Sequence, residues 1–350
     1  MTKFVSKICY DNAIDIHEDD YLHCARSRTC VRGFASLSFS TFRLSDFQTI
    51  FKPMKNTLKV FLNPLKWIAA IKYHKKQKAY RRSEQDLELK LYNKILLNDM
   101  LHWGYFDNPK IAPEEISLSV FSKAQQRYAE NIADLTDTND QPVLDVGCGM
   151  GGMADMLLKK GYTIELLTPN NSQKKYLKAK YPDIPFHHCK YEEFQSERIY
   201  GAVINAESLQ YINLEKAFEQ TEKILATGGK WVVSDYFRLH DSGKNKSGHL
   251  LIDFEMMADK KGWNITYQRD CTDHVLPTIK LAKLYADRFL LPLVDFGFQK
   301  LNQKKSWLYY MLKDTREGIL KKIDKETAAI DPDLFVKEKR YMLFVLQKNQ

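Results

Sequence analysis

Residues 143–152 read Val143-Leu144-Asp145-Val146-Gly147-Cys148-Gly149-Met150-Gly151-Gly152, and the helix-forming run Met153-Ala154-Asp155-Met156-Leu157-Leu158 follows directly. A short stretch suited to a buried strand thus ends in closely spaced glycines and passes into a helix. Glycine there lets the backbone turn sharply and approach a ligand with no Cβ in the way. A Gly-x-Gly-x-Gly turn alone is a weak signal, because nucleotide-binding proteins share it and strand-to-helix turns use glycine for packing. Its surroundings carry the reading. Apolar runs at 143–146, 163–167, 185–188, 201–205, 230–235, 263–270 and 341–347 alternate with helical patterns. That alternation predicts an α/β fold, a mostly parallel sheet of seven strands with helices on both faces. Helical, aromatic-rich sequence at 272–340 separates the last two strands and is long enough to form a lid.

Upstream of the sheet the pattern is helical. A helix is predicted over 117–135, with Val120, Phe121, Ala124, Tyr128 and Ile132 along one face. The pattern at 86–101 is also amphipathic and leads into His102-Trp103-Gly104-Tyr105-Phe106. Between Lys52 and Arg82 lie ten basic residues and no acid, so the net charge of +9 belongs to this segment and the remainder carries −1. Leu58, Phe61, Leu62, Leu65, Trp67, Ile68 and Ile71 recur there at helical spacing. Asn63-Pro64 interrupts them and suits the cap and first turn of a second helix. Basic charge beside apolar groups is what a helix needs to lie on an anionic membrane, and a solvated linker is the plainer reading. Residues 1–50 follow an acidic start with Arg- and Ser-rich sequence and are expected to be a poorly ordered extension. The expected organisation is an extension (1–50), a basic amphipathic helical segment (51–100) and one large domain (101–350).

Several classes are excluded on composition. Apolar residues make up 44% of the chain, ample for a packed core, yet the wholly apolar stretch 67–71 falls far short of the ~20 residues that cross a bilayer. With no secretory signal, a cytoplasmic location is expected. Cys9, Cys24, Cys30, Cys148, Cys189 and Cys271 show no repeated spacing, so neither a disulfide framework nor a paired zinc motif is indicated. His23, Cys24 and Cys30 are too sparse a set to make a metal site, and no metal is expected.

In three segments the chain resembles the class I S-adenosylmethionine-dependent methyltransferases. Asp145, Gly147, Gly149 and Gly151 match the acidic residue and glycines of the first motif. The run from Gly201 to Tyr211 is similar to the fourth strand and its turn, and that from Ile224 to Asp235 to the fifth-strand motif, with Thr227 where Pro is usual. The resemblance implies S-adenosylmethionine as cofactor, its methionine part held by the glycine turn and Asp145 ordering that turn. Many relatives end the second strand with an acid for the ribose; here Leu166 stands there, and alternation turns Glu165 to the opposite face. Leu167-Thr168-Pro169-Asn170-Asn171 instead resembles the corresponding turn of the sterol, cyclopropane-fatty-acid and related small-molecule methyltransferases, which makes Thr168, Asn170 and Asn171 the ribose candidates. Lys190 occupies the place where relatives put an acid for adenine and cannot accept a hydrogen bond, which leaves Tyr191 or Glu192.

The same branch implies where the acceptor sits. Residues 102–106 are similar to the entry segment of sterol and tocopherol methyltransferases, and Tyr105 matches an aromatic hydroxyl near cofactor or acceptor. Glu207, just after the fourth strand, is the first choice for a base or cation-stabilising carboxylate. His274 lies in a segment resembling the turn that opens the substrate cover and is the third catalytic candidate. The abundance of aromatics in the lid, among them Tyr285, Phe289, Phe296, Trp307 and Tyr310, suggests an apolar, lipid- or isoprenoid-like acceptor. Methyl transfer from a sulfonium is an in-line displacement whose leaving group needs no proton, so the lack of an evident catalytic dyad does not count against an enzyme. Two competing readings are a nucleic-acid methyltransferase and a non-catalytic binding protein. Asn205-Ala206-Glu207-Ser208 stands where base-modifying enzymes often carry Asn/Asp-Pro-Pro-Tyr/Phe, which weighs against the former, and the intact glycine turn weighs against the latter.

Overall fold

The computed structural model describes residues 64–81, 95, 96, 98–138, 140–243 and 246–348. The readings made for residues 1–63, the His23, Cys24 and Cys30 set included, lie outside these, as does most of the pattern at 86–101. The described residues fall into two compact units, one represented by helix α1 (Pro64–Arg81) and the other by residues from 95 onward. Helix α1 opens on Pro64, as a first-turn proline allows, and its Ile68, Ile71 and Tyr73 are exposed.

The larger unit is a seven-stranded sheet in the order β3-β2-β1-β4-β5-β7-β6. Its strands are β1 (Val143–Val146), β2 (Ile164–Leu167), β3 (Phe186–His187), β4 (Tyr200–Ala206), β5 (Leu225–Arg238), β6 (Trp263–Asp270) and β7 (Lys339–Lys348). The first five pair in parallel, whereas β7 runs antiparallel between β5 and β6. All four residues of β1 are buried, as expected of a strand with helices on both faces. Val143, Ile164, Leu166 and Ile204 pack in one apolar cluster, and Leu144, Val146, Leu167 and Val203 in the other. Glu165 is turned away from Leu166, where Tyr200 and His187 bond its carboxyl at 2.6 and 2.7 Å and Arg198 pairs with it. Burial works to raise this carboxyl, but those three partners outweigh it and hold its pKa below the ordinary value.

Helix α2 (Leu118–Leu135) begins where Ser117 caps the Val120 N–H; it buries Tyr128 and Ile132 against the sheet and Ala124 against Phe106, Ile116 and Leu281. Helices α3 (Gly152–Lys159), α4 (Asn171–Lys180), α5 (Leu214–Ile224) and α6 (Leu251–Lys260) follow β1, β2, β4 and β5. The lid comprises α7 (Thr272–Tyr285), α8 (Leu291–Lys304), α9 (Ser306–Met311), α10 (Lys313–Ala328) and α11 (Pro332–Glu338). Only its ends join the core: Val275 and Ile279 of α7 and Phe335 of α11 are buried, whereas α8 and α9 bury no residue. Phe289, Phe296, Trp307 and Tyr310 are exposed, so these lid aromatics do not line an interior site. The large unit also begins before the expected boundary at 101, because Met100 is buried in its core and Asp99 accepts bonds from Tyr176 and Lys180 of α4.

Candidate active site

Strand order reverses between β1 and β4, and in open α/β sheets the crevice outside the carboxyl ends at such a switch point is where ligands bind. The glycine turn leaves β1 at this point. Gly147, Gly149 and Gly151 all have left-handed φ, of 76°, 57° and 88°, so the three glycines of the motif are used for backbone conformations that side chains disfavour. Above the turn runs the entry segment: Leu101 faces Gly149, and Met100 and Asp99 face Gly152. Asp145 is 1% exposed, and its Oδ2 has no hydrogen-bond partner among the described residues. Burial pushes its carboxyl up to about 7. An orphaned acceptor beneath a glycine turn fits a ligand that brings donors to it.

Asp145 also makes a testable contribution to stability. Its native pKa lies above the unfolded value, so the stabilisation is complete below the unfolded pKa and is lost as pH rises toward about 7. Asp145→Asn is therefore expected to flatten the fall in stability between about pH 4 and pH 7, by an amount on the order of 2–4 kcal/mol, seen as a smaller fall in Tm. Equal slopes in the two proteins, measured by calorimetry, would show that Asp145 is ionised throughout.

At the end of β2, Thr168 is buried and its hydroxyl donates to Gln173 Oε1 at 2.6 Å. Asn170 caps α4, its Oδ1 accepting from Ser172 N and Gln173 N at 2.8 and 3.2 Å. Asn171 is exposed in the first turn. Gln173 of α4, a residue the sequence did not single out, thus bonds Thr168 at the carboxyl end of β2. Of the adenine candidates, Tyr191 has its side chain buried in the core, with its hydroxyl 2.8 Å from Thr221 Oγ1. Glu192 instead accepts from Asn213 N at 3.1 Å.

Glu207 leaves β4 with φ of 56°, uncommon for a residue with a side chain and characteristic of functional turns. Its Oε1 accepts from Trp103 N and from the Tyr341 hydroxyl, each at 2.7 Å. The Tyr341 hydroxyl also lies 3.0 Å from that of Tyr128. Burial raises the Glu207 carboxyl to about 7, against the lowering effect of these two donors. Asp235, at the carboxyl end of β5, is its electrostatic neighbour. Asp235 accepts from Gln210 N at 3.0 Å and Tyr236 N at 2.9 Å, and burial with the Glu207 charge drives it to about 8. The two carboxylates are flanked by aromatic rings: Trp103 lies 5.9 Å from Tyr236, 5.4 Å from Phe335 and 5.4 Å from Tyr341. Asp235, Trp103 and Tyr341 are parts of this arrangement that sequence reasoning assigned no role.

The other two catalytic candidates lie together, but apart from Glu207. Tyr105 is buried, stacks on His274 at 4.4 Å and takes a hydrogen bond from Arg269. His274 Nδ1 lies 2.8 Å from the Phe106 carbonyl. Together with Phe106 N, which bonds the His274 carbonyl, these contacts clamp the entry segment to α7. Their observed bonds are to the protein's own groups, and it is Trp103 that the entry segment places against Glu207.

Residues 120–284 match a family model described as a methyltransferase domain. No curated protein matches the chain. Among solved structures, the chain is similar to a protein of Galdieria sulphuraria assigned as a sarcosine dimethylglycine methyltransferase, with TM-score 0.55, 14% identity, and 75% of this chain and 99% of that one covered. It is similar to the geranyl diphosphate C-methyltransferase of Streptomyces coelicolor A3(2), bound to Mg2+, geranyl diphosphate and S-adenosyl-L-homocysteine (TM-score 0.53, 16% identity, 75% and 97% covered). It is also similar to the cyclase SpnF (TM-score 0.51, 16% identity, 71% and 87% covered). At these identities the likeness is one of fold, and a cyclase among the matches shows that the fold does not by itself fix the reaction.

Proposed function

We propose that this chain, whose residues 120–284 form an S-adenosylmethionine-dependent methyltransferase domain, methylates a small apolar acceptor held against Glu207. The observation that carries this is the half-buried Glu207 carboxylate at the switch point, held by Trp103 N and the Tyr341 hydroxyl beside the Trp103, Tyr236 and Phe335 rings, with its neighbour Ser208 bonded to Val146 of the glycine turn's strand. When bound, S-adenosylmethionine supplies an electrophilic methyl group on a sulfonium. Gly147, Gly149 and Gly151 would hold its methionine part, with the unpartnered Asp145 oxygen beneath them, and Thr168, Asn170 and Asn171, with Gln173 bonded to Thr168, would serve its ribose.

The acceptor occupies the space above Glu207. Burial keeps that carboxyl near neutrality, so it takes a proton from a hydroxyl or amine acceptor, or steadies positive charge that develops on a carbon. The ring cluster excludes water, which strengthens both effects. The geranyl diphosphate enzyme among the similar folds acts on an isoprenoid, in keeping with an apolar acceptor here. Incubating lipid and metabolite extracts with the protein and a labelled methyl donor is expected to label a small, organic-soluble product by mass spectrometry. Label confined to nucleic acid or protein would overturn this reading.

Contact with an anionic membrane would bring such an acceptor within reach, and we assign it to the basic segment. Ile68 and Ile71 of α1 are exposed beside its basic residues. Among the described residues no helix is long and apolar enough to cross a membrane, so the proposed contact is peripheral. At about 1 kcal/mol per basic residue near an anionic surface, the full chain is expected to co-sediment with anionic vesicles and to be released by salt. A chain lacking residues before Ser83 that binds equally well would remove the assignment.

A further inference from the structure

The lid helices form an open cavity of about 340 Å³ that shares no residue with the glycine turn, the entry segment or the carboxylate pair. Its volume falls at the small end of the roughly 300–1,000 Å³ range of small-molecule sites. Leu291, Val294 and Phe298 of α8, Tyr309 of α9 and Leu320 of α10 supply an apolar wall, and Arg316 of α10 supplies one positive charge. The guanidinium carbon of Arg316 lies 3.5 Å from the Tyr309 ring centroid and 6.0 Å from that of Phe298. Its Nε is buried with no hydrogen-bond partner, and no carboxylate pairs with Arg316 among the described residues. The acid on the cavity's lining, Asp295, is exposed and accepts instead from Gln299 Nε2 at 2.7 Å.

A guanidinium donor withdrawn from water without an acceptor is unfavourable, and natural structures rarely leave one so unless a ligand completes it. Tyr309 stands 3.5 Å over one face of this guanidinium, so the recognition assigned here is through its in-plane N–H donors. A planar anion approaching in that plane meets two parallel donors, the geometry in which arginine binds carboxylates. The apolar wall beside it suits a hydrocarbon chain. We propose that the lid cavity is a second ligand site, distinct from the methyl-transfer site, and that it takes an amphiphile with a terminal carboxylate.

The test is calorimetric titration of the full chain, saturated with S-adenosyl-L-homocysteine, with decanoate, decanol, acetate and decyl phosphate. Decanoate is expected to bind at least about tenfold more tightly than decanol or acetate, because a charge-assisted hydrogen bond and chain burial are both required. Arg316→Met, which keeps the stem against Tyr309, is expected to lose about tenfold or more of decanoate affinity while leaving the weak decanol binding unchanged. Val294→Phe, which fills the apolar wall without touching the charge, is expected to weaken decanoate and decanol together and serves if Arg316→Met fails to fold. Equal binding of decanoate and decanol, undiminished affinity in either folded variant, or displacement of S-adenosyl-L-homocysteine by decanoate would overturn the proposal. Tighter binding of decyl phosphate than of decanoate would overturn the carboxylate assignment and identify a phosphate head instead.

Discussion

Replacing Gly147 by alanine is expected to lower Tm by roughly 6–12 °C and to weaken S-adenosylmethionine binding by about a hundredfold or more. A Cβ on Gly147 would stand 2.4 Å from Ser208 Cβ, closer than any two carbons not bonded to each other can approach. Ser208 has little freedom to retreat. Its hydroxyl donates to the Val146 carbonyl at 2.6 Å and accepts from Asn205 Nδ2 at 2.8 Å, while Asn205 Oδ1 accepts from Trp231 Nε1 at 2.9 Å. That buried chain ties β1, β4 and β5 together directly beneath the site. Moving Ser208 leaves members of the chain unsatisfied at about 1–3 kcal/mol each, and the left-handed φ of 76° adds about 1–2 kcal/mol for any side chain. Gly149→Ala is the control, since its Cβ would meet only the Leu101 side chain at an ordinary 3.4 Å. It should cost about 1 kcal/mol in stability, while its effect on cofactor affinity reports how closely the ligand approaches the turn. Calorimetric scans of both variants check this. A Gly147→Ala protein that melts with the wild type and binds S-adenosylmethionine equally would mean that the turn is not the cofactor cradle.

Much of the sheet was legible because β1 is a short apolar run buried on both faces and β6 alternates between a covered and an exposed face, so both fall at the residues where these patterns begin and end. The glycine turn was legible because left-handed backbone demands glycine at three positions, and the alternating strands and helices around it gave that mark its meaning. Glu207 could be found by place alone, as an acid following β4 at the mouth of the sheet. Its partners could not. Trp103 lies 104 residues away and Tyr341 lies 134 residues away, and no local pattern announces which backbone N–H or hydroxyl will meet a given carboxylate. That Trp103 is the residue of the entry segment bonded to Glu207 was hidden for the same reason, because it depends on which side of the segment faces the sheet. Asp235 did carry a signal, an acid ending an otherwise buried strand, which is costly unless its environment keeps it protonated or a ligand meets it. Tyr191 shows the opposite ambiguity: an aromatic in the turn after β3 can serve a ligand or the core, and Thr221 decides for the core. Exposure of the lid aromatics was hidden as well, since a helical hairpin that projects from the domain has the composition of one that packs on it.

Replacing Glu207 by glutamine is expected to lower kcat by about a hundredfold or more with a protonated acceptor, the range in which positioned bases act, while S-adenosylmethionine affinity changes little. The amide retains an oxygen to accept from Trp103 N and Tyr341, so the entry segment stays in place and the effect isolates the charge. The pH profile supplies a readout that a merely structural role would not move. Burial holds Glu207 at about 7, so wild-type kcat/KM is expected to rise with pH up to about that value as the base ionises, then level off. Glu207→Gln removes the rising limb. Tyr341→Phe takes away a donor that lowers this pKa, so its limb should shift to higher pH while its plateau is largely kept. Because the Glu207 charge is among the causes that raise Asp235 to about 8, the two carboxyls titrate as a coupled pair, and the wild-type limb is expected to be broader than that of a single group. In Glu207→Gln the like charge is gone, and Asp235 should ionise at lower pH, which NMR titration of the labelled carboxyl carbons can follow. Unchanged kcat in Glu207→Gln, or a limb that Tyr341→Phe leaves in place, would mean that the proton is taken elsewhere and that Glu207 serves only to hold the entry segment.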